Sequence, residues 1–596
     1  MKSVLLSIFI IFVSSLYSQI NIKITVKDAQ TKEALAFCNI SVKNTYKGGI
    51  TNNDGEIQLL IDDTSNTIVT VSYLGYITEN ISISRLLENP VVLMKKNVFS
   101  ISEVNVLADD NYLFEILSKC RKHQLKNRYT HSSKVYYGIE TSSKTQAVEL
   151  LECYYNAELK GTQIPNLYFK NGRVALAPID SNYFLSLNSS KAILRLDLLK
   201  RSDKYPVNPL QLNLRKLKEY YDLKILSIDK ETYHLYFSPK QNKKEYFSGD
   251  LWIEKENYNL VRINLEADNT KKYPFIPLFE IDTISNVSLK ISQTYKDFEN
   301  HKVLDYIYFD YQLDYKSYRD TPMVSFPRMV TRPIVSKGII YLYDYEKPFI
   351  LPYFEYDNSL NDYQKLSIIP YNESFWEENN SFLLTKKQKE NLGFIAHRGR
   401  LINFESNSLQ NGFEIARDIT GKKRNFFENY YDFWNSKKRI SISKDINDNT
   451  KVYSQDIINK SIQRDLYNLE VQILLDVTKT KNGFNCKSYT VFDPFKTFYH
   501  LSRTSITRMF LNIYFDICEI ERLKMQEQLE KRNFTKKEID NIYNQTLLNI
   551  KSKTQLYMKE VKLGENYISL KKWNKYVFEN LEIDNIQLVI NSNKDQ

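Results

Sequence analysis

The chain has 596 residues, of which 42% are hydrophobic and 26% are charged. This composition is typical of a protein with several globular domains, and it excludes a chain that is disordered or collagen-like throughout. Its 15 glycines fall well below the usual share of about 7%, which disfavours glycine-dependent nucleotide-binding folds, whereas 44 tyrosines and 32 phenylalanines favour long strands. The net charge of +11 is small for this length and is not concentrated in one block, so nucleic acid is not implied as a partner.

Residues 1–18 predict a secretory signal peptide. Lys2 supplies a positive start, Val4–Val13 is apolar except for Ser7, and small residues precede an expected cleavage after Ser18. The apolar stretch is short for a membrane span, and an uncleaved anchor is the alternative. No later segment has about 18 uninterrupted apolar residues, so no other membrane helix is expected.

The cysteines point to no metal or redox site. No two of them stand in a C-x-x-C spacing, which disfavours a zinc site. An exported protein can form disulfides, and Cys120 could pair with Cys153, but buried free thiols are the favoured interpretation. The five are Cys38, Cys120, Cys153, Cys486 and Cys518.

Residues 19–106 predict a β-sandwich, because short segments of period two alternate with turn signals. The predicted strands begin with Ile22–Val26 and Phe37–Val42, and Asp54-Gly55 marks a turn. Further strands are predicted at Ile57–Ile61, Ile68–Tyr73 and Tyr76–Ile83, the last two flanking Leu74-Gly75.

Three motifs in this stretch resemble the carboxypeptidase regulatory-like domain, which implies a seven-stranded, transthyretin-like sandwich. Residues 101–106 also match the final strand of exported members, and an early family Gly is replaced near Lys23–Ile24. Asn52 stands where the family turn has Asp. The matching residues are Val26, Asp28 and Thr31 at the start, Thr51 and Asn53-Asp54-Gly55 in the turn, and Ser72-Tyr73-Leu74-Gly75-Tyr76.

The resemblance does not imply peptidase activity. A zinc carboxypeptidase needs a His-x-x-Glu pair and a distant third ligand, and no histidine here is followed by Glu at that spacing. The six histidines are His123, His131, His234, His301, His397 and His500.

The next two segments predict a helical linker at 107–130 and an antiparallel β domain at 131–330. Leu113, Ile116, Leu117 and Cys120 recur at helical spacing. The clearest hairpin is 247–265, with its turn at 256–259. Other predicted strands are Lys134–Glu140, Val148–Leu159, Leu223–Ile228, Tyr233–Phe237, Ser285–Phe298 and Leu304–Tyr315.

The run from Gly249 to Ile263 resembles a hairpin of lipoprotein-carrier-like half-barrels, curved antiparallel sheets that can hold an acyl chain. The resemblance implies a half-barrel and raises a lipid site as an alternative. The competing expectation is a sheet whose concave face is filled by its own side chains.

Residues 331–440 predict an irregular, aromatic-rich region with loops crossing a sheet and a domain boundary near 320–380. The dense aromatic segment 425–434 has helical spacing, which favours an aromatic face packed on a core over exposure for sugar stacking or a membrane interface. The prolines of the region are Pro327, Pro333, Pro348, Pro352 and Pro370, and the aromatic residues are Phe426, Phe427, Tyr430, Tyr431 and Trp434.

Residues 441–596 predict strands followed by an α-helical hairpin. Strands at Leu469–Val477 and Cys486–Phe492 are joined through Asn482-Gly483, and a helix begins at Ser505. Thr535 and Glu538 form a capping box at the start of the second helix. The last residues do not form a terminal strand, which disfavours a membrane barrel.

No catalytic, cofactor-binding or metal-binding residue is predicted. The sequence contains no Gly-x-Gly, Gly-Lys-Ser/Thr or Gly-x-Ser-x-Gly motif. A dispersed carboxylate pair is the remaining enzymatic alternative. Asp476 and Asp493 are the first acids to inspect, although structural roles are favoured for both.

The fold class is therefore mainly β and multidomain, and the favoured function is a non-enzymatic exported envelope protein. By resemblance, it is expected to act as a binding or assembly module at the periplasmic side of the outer membrane. The expected partner is an envelope protein, a lipid or a glycan. The alternatives are a periplasmic lipid or lipoprotein carrier and a hydrolase with dispersed acidic residues.

Overall fold

The computed structural model describes most of the chain between residues 20 and 588. The described ranges are 20–97, 111–179, 193–319, 328–404, 414–417, 423–425, 431–440, 467–499 and 505–588, less 44, 46, 62–66, 128, 242–243, 278–279, 358–359, 361 and 380–381. The predicted signal peptide and the predicted strand at 101–106 lie outside these residues.

The first structural unit is the expected sandwich. One sheet has the order β4-β1-β7 and the other β3-β2-β5-β6, and alternate side chains of both meet in a continuous aliphatic core. The strands are β1 (Ile20–Asp28), β2 (Asn39–Val42), β3 (Gly48–Ile50), β4 (Glu56–Ile61), β5 (Ile68–Ser72), β6 (Glu79–Ser82) and β7 (Val91–Met94). Seven strands confirm the predicted sandwich.

One predicted strand is shorter than expected. The prediction at Tyr76–Ile83 becomes β6 followed directly by helix α1 (Ile83–Glu88), because the Ser82 side chain accepts a hydrogen bond from the Arg85 N–H and caps the helix.

The second unit is an open antiparallel sheet with the order β11-β12-β13-β14-β15-β16-β17-β8-β9-β10-β18. The expected large antiparallel sheet is confirmed, including the hairpin at 247–265. Its strands are β8 (Thr130–Ser143), β9 (Gln146–Lys160), β10 (Gln163–Leu176), β11 (Tyr221–Ile228), β12 (Thr232–Pro239), β13 (Ser248–Glu254), β14 (Leu260–Thr270), β15 (Thr283–Phe298), β16 (His301–Arg319), β17 (Arg328–Tyr343) and β18 (Arg400–Ile402).

One face of this sheet, the inner face, is covered by the chain itself. Helix α2 (Asn111–Lys126) lays its apolar stripe on it, and so do a 3₁₀ turn (Pro209–Gln211), helix α3 (Leu214–Tyr220) and helix α4 (Asp362–Ile368). Their buried side chains belong to one hydrophobic cluster with the inner residues of the strands. Within the described residues, the inner face is therefore a filled core.

Strand β17 was not predicted, because it contains a proline and lies where loops crossing the sheet were expected. Pro333 pairs with Asp314 of β16, but pairing with β8 begins only at Ile334, which lies opposite Ser143. At Pro333 the strand thus has a neighbour on one side, and the missing N–H costs no ladder bond. The predicted domain boundary at residue 330 falls inside this strand.

The region predicted as irregular also holds helices α5 (Glu373–Glu378) and α6 (Lys386–Arg398). Thr385 and Gln388 form a capping box at the start of α6. Two short strands follow, β19 (Glu414–Arg417) and β20 (Lys423–Asn425).

The aromatic segment does not form the expected helix where it is described. Residues 426–430 lie outside the described part, while Asp432–Phe433 forms strand β21 and pairs with residues 491–492. Tyr431 is nonetheless buried, and the Trp434 indole N–H donates to Asp516 at 2.8 Å. The prediction that the aromatic rings pack on a core is therefore correct for Tyr431 and Trp434, although their backbone is extended and not helical.

The C-terminal part combines strands with three long helices. Strands β22 (Tyr467–Asn468) and β25 (Phe498–Tyr499) pair, and β23 (Val471–Thr480) and β24 (Gly483–Phe492) form the hairpin predicted through Asn482-Gly483. Helices α7 (Ser505–Glu530) and α8 (Lys536–Val561) form the predicted hairpin. Helix α9 (Tyr567–Leu581) packs on both and was not predicted.

The capping box of Thr535 and Glu538 is present at the start of α8. All five cysteines are free, and four of them are buried. Among the described helices, none has the length and apolar character needed to cross a membrane.

A buried ion pair ties the β23–β24 hairpin to the large sheet. Lys170 of β10 and Asp476 of β23 are 1% and 3% exposed, with Nζ 2.5 Å from Oδ1. The other carboxylate oxygen accepts a hydrogen bond from Asn372 at 2.7 Å. Asp493 instead accepts from the Phe495 and Lys496 N–H groups in a turn. Both acids therefore engage in contacts that hold the local structure, which agrees with the favoured structural interpretation.

We expect Asp476→Asn to destabilise the chain by about 3–5 kcal/mol, because it leaves the Lys170 ammonium buried without its counter-charge. Urea unfolding of the purified chain measures this loss. The double variant Lys170→Met/Asp476→Leu should recover most of it. Glu527→Gln, which breaks the exposed pair with Lys531, should change stability by less than about 0.5 kcal/mol. Equal effects of D476N and E527Q would contradict this account.

Candidate binding cleft between the sandwich and the large sheet

The sandwich rests on the outer face of the large sheet, the face opposite α2. Phe37 places its ring 5.4 Å from that of Tyr306 and 5.0 Å from that of Tyr308. It does so with a backbone φ of +61°, a left-handed conformation that costs energy for a bulky residue. Thr51 holds this backbone, since its hydroxyl donates to the Leu35 carbonyl at 2.6 Å and accepts from the Cys38 N–H at 2.9 Å.

The family turn provides a second contact between the two units. The side-chain oxygen of Asn52 accepts hydrogen bonds from the N–H groups of Asp54 and Glu56, both at 2.9 Å. The side-chain NH₂ group of Asn52 donates to the Leu383 carbonyl at 3.1 Å. Asp54 accepts from the Lys386 N–H at 2.8 Å, at the first turn of α6. Asn52 departs from the family Asp, and only an amide can donate to Leu383.

We expect Asn52→Asp to loosen this contact, because the carboxylate keeps both turn bonds but meets the Leu383 carbonyl with a second acceptor. Hydrogen exchange followed by mass spectrometry should show faster exchange in residues 382–390. Asn53→Asp makes the same chemical change at the exposed neighbouring position and serves as the matched control. Unchanged exchange in N52D would show that the contact does not hold the sandwich.

Two of the family motifs meet inside the sandwich. Asp28 accepts hydrogen bonds from the N–H groups of Gln30 at 2.7 Å and Thr31 at 2.8 Å, and from the Tyr76 hydroxyl at 2.8 Å. The Thr31 amide and the Tyr76 hydroxyl are the main causes that lower the pKa of Asp28 to about 2. This tie fixes the loop 73–76 that overhangs the large sheet.

The stabilisation from Asp28 should depend on pH. Its folded pKa of about 2 lies below the ordinary 3.8, so the contribution is present above about pH 4 and is lost as the pH falls from about 4 towards 2. The difference in melting temperature between the wild type and Asp28→Asn should therefore shrink over this interval. Glu88→Gln, an exposed change in the same unit, should show no such trend. A difference that stays constant down to pH 2 would be inconsistent with the tie.

A cleft of about 640 Å³ opens beside this docking contact. Its roof is the sandwich loop 72–78, and its floor is the outer face of β14–β16. The turn 229–232 between β11 and β12 and the strand ends near 296–302 close its sides. The side chains that line it include Tyr73, Tyr76, Thr78, Arg262 and Tyr306. The lining mixes aromatic rings with hydroxyl, amide and charged groups.

Four of the eight charged side chains that line the cleft are joined in ion pairs. Lys296 lies 2.6 Å from Asp305, and Lys302 lies 2.8 Å from Asp297. Asp229 accepts from the Glu231 and Thr232 N–H groups of its own turn. These contacts make the walls rigid and leave few groups free for chemistry.

The floor continues outward as one row of side chains, one from each strand. Across β11 to β16 the paired residues are Ser227, His234, Trp252, Arg262, Thr294 and Tyr306. The His234 and Trp252 rings stack at 3.8 Å, and the Arg262 guanidinium lies 5.6 Å from the Trp252 ring centre. The row is covered by the sandwich at Tyr306 and open at His234.

This row contains a serine, a histidine and an aspartate, but its geometry does not suit a nucleophile. His234 Nδ1 lies 3.5 Å from the Ser227 hydroxyl, at the limit of a hydrogen bond, while Nε2 lies 2.9 Å from Asp250. The group reads as a hydrogen-bonded surface ladder.

Tyr73 and Tyr76 belong to the sandwich motif and Arg262 lies in the 249–263 hairpin, but no pattern in the sequence places these residues, or Tyr306, in one cleft. Their meeting depends on which strands pair and on where the sandwich docks. Asp476 and Asp493 line no part of the cleft, and no group of three or more metal-ligating side chains occurs among the described residues.

The sandwich matches a known protein family. The family profile of the CarboxypepD_reg-like domain matches residues 22–106, which confirms the resemblance drawn from the sandwich motifs. No curated protein sequence matches the chain.

Solved structures similar to the chain include a LolA superfamily protein from Nitrosomonas europaea, with 13% identity over 39% of this chain and 91% of that one and a TM-score of 0.16. A DUF1329 family protein from Desulfovibrio piger shares 11% identity over 42% of this chain and 93% of its own, with a TM-score of 0.17. A chain of a MucA/MucB complex from Pseudomonas aeruginosa shares 7% identity over 39% of this chain and 93% of its own, with a TM-score of 0.15. They belong to the half-barrel class expected for the middle region. At these scores the likeness carries no conclusion about function.

Proposed function

We propose that the chain is a non-enzymatic exported binding protein of the bacterial envelope, which uses the cleft between the sandwich and the large sheet. The observation that carries the proposal is the cleft itself, a polar and aromatic space of about 640 Å³ held open by two anchored units. Export and action at the periplasmic side of the outer membrane follow from the predicted signal peptide and the family resemblance, and they are part of the proposal.

The filled inner face disfavours the alternative of a lipid or lipoprotein carrier. Leu117 and Cys120 of α2 are 1% and 0% exposed and pack with the inner residues of the strands. An acyl chain bound there would have to displace this packing, which costs the free energy of burying the same apolar surface. The outer cleft is too rich in charged and polar groups to replace the inner face as an acyl site.

The hydrolase alternative finds no support in the cleft. A glycosidase needs one carboxylic acid held protonated beside a second, ionised one. Here Asp297 and Asp305 each form an ion pair with a lysine of the cleft wall. Such pairs suit a rigid binding wall better than a general acid.

Filling the cleft should abolish binding. Thr78 is exposed and lines the roof, so Thr78→Trp should obstruct the space without disturbing a core. The purified chain is sedimented with peptidoglycan sacculi and, separately, with vesicles of phosphatidylethanolamine and phosphatidylglycerol. We expect the wild type to co-sediment with one of the two and T78W to lose at least about tenfold in affinity.

Ser84→Trp provides the control, because Ser84 is an exposed sandwich residue outside the cleft lining. It should bind as the wild type does. Absence of co-sedimentation, or equal binding by T78W, would contradict a role for the cleft. Cell fractionation tests the location separately: a full-length protein retained in the cytoplasm with Met1 intact would contradict export.

A further inference from the structure

Two cations that line the cleft, Lys230 and Arg262, form no salt bridge among the described residues; Lys230 is exposed on the turn, whereas Arg262 is half-buried on the floor. Arg262 projects from β14 between Trp252 and the sandwich roof, where it contacts Tyr73. Its Nε donates to the Asn264 side-chain oxygen at 3.2 Å. Among the described residues it forms no salt bridge, whereas Lys296 and Lys302 on the same floor do.

The surroundings of Arg262 are arranged to hold its guanidinium in one orientation. Asn264 is itself fixed, since its amide donates to both Asp250 oxygens at 3.2 Å and its oxygen accepts from Ser292 at 2.6 Å. Asp250 is engaged by His234 as well, so it is not free to close on the arginine. The planar guanidinium has five N–H donors: the Nε–H is used by Asn264, and a hydrogen bond joins the side chain to Tyr73. The remaining N–H groups can address an oxyanion in the cleft, as a bidentate fork does.

The position of the cleft favours a ligand that is recognised by side chains. Its floor consists of interior strands, β14 to β16, whose backbone groups are already paired on both sides. An extended peptide would find no free strand edge to pair with. An acyl chain would meet the ion pairs Lys296–Asp305 and Lys302–Asp297. Aromatic rings beside hydroxyl and amide groups suit the mixed surface of a sugar.

We propose that the cleft binds a saccharide carrying a carboxylate or a phosphate, with Arg262 as the residue that holds the oxyanion. The inference rests on the proposed function and adds the ligand class to it. Tyr73 and Tyr306 offer ring surface beside the guanidinium, and the hydroxyl and amide groups of the lining serve the sugar. Because the guanidinium belongs to the sheet and contacts Tyr73 of the sandwich, bound ligand would touch both units.

The test is isothermal titration of the purified full chain with three saccharides. Trigalacturonate carries carboxylates, glucose 6-phosphate carries a phosphate, and maltotriose is neutral. We expect at least one acidic saccharide to bind, maltotriose to bind at least about tenfold more weakly, and Arg262→Gln to lose at least about tenfold for the acidic ligand. Arg262→Lys should recover only part of the affinity, because an ammonium lacks the fork. The two acidic probes distinguish a carboxylate from a phosphate source.

Lys290→Gln is the matched control. Lys290 lies on the outer side of β15, is exposed and pairs loosely with Glu266. The substitution therefore removes the same charge from the same sheet, but outside the cleft. If R262Q and K290Q reduce the binding of acidic saccharides equally, the assignment of Arg262 is wrong. The assignment is also wrong if the wild type binds neither acidic probe.

Failure of this inference is distinguishable from failure of the proposed function. Maltotriose binding that is lost in T78W but unchanged in R262Q would overturn the acidic ligand and leave the cleft as a binding site. Binding to anionic vesicles that requires Arg262, with no saccharide binding, would overturn the saccharide and identify a lipid headgroup. If no probe depends on Thr78 or Arg262, both proposals fail.

Discussion

The packing of Phe37 against Tyr306 and Tyr308 is the contact on which the arrangement of the two units depends. An open sheet of eleven strands exposes two faces, and a half-buried face of aromatic side chains is unstable in water until something covers it. The chain covers the inner face with its own helices and part of the outer face with the sandwich. The left-handed backbone of Phe37 is strain that this contact compensates. The ring reaches the sheet only because Thr51 holds the backbone on either side of it.

The same division explains where a ligand can bind. The inner face of the large sheet is closed by α2, the 3₁₀ turn, α3 and α4. The open space lies on the other face, where the sandwich covers Tyr306 and stops short of Trp252. The walls of the cleft are already held by side-chain contacts, so pre-organisation would contribute to the affinity of the proposed site.

Local structure followed from the sequence where a single rule decided it. Alternation of apolar and polar residues located β13 and β14, Asn482-Gly483 located the β23–β24 turn, and the Thr535–Glu538 box located the start of α8. Strand β10 was missed because Lys170 and Asn171 are polar yet buried, which breaks the alternation. The burial of Lys170 depends on Asp476, a partner 306 positions away in the sequence. No local pattern could report that pairing.

The cleft could be anticipated only in part, because its roof and floor come from segments that are distant in the chain. The motif Ser72–Tyr76 was readable, but its position over the sheet is set by docking, to which the Asn52 contact with Leu383 contributes beside the packing of Phe37. In the family the turn carries Asp at that position, which accepts hydrogen bonds and donates none at neutral pH. Asn at position 52 keeps the turn and gains a donor for Leu383, so the turn becomes a contact with the second unit. With the turn committed to α6, the loop 72–78 is the part of the sandwich that faces Arg262. A departure from the family pattern in one side chain thus adds a contact between the sandwich and the second unit.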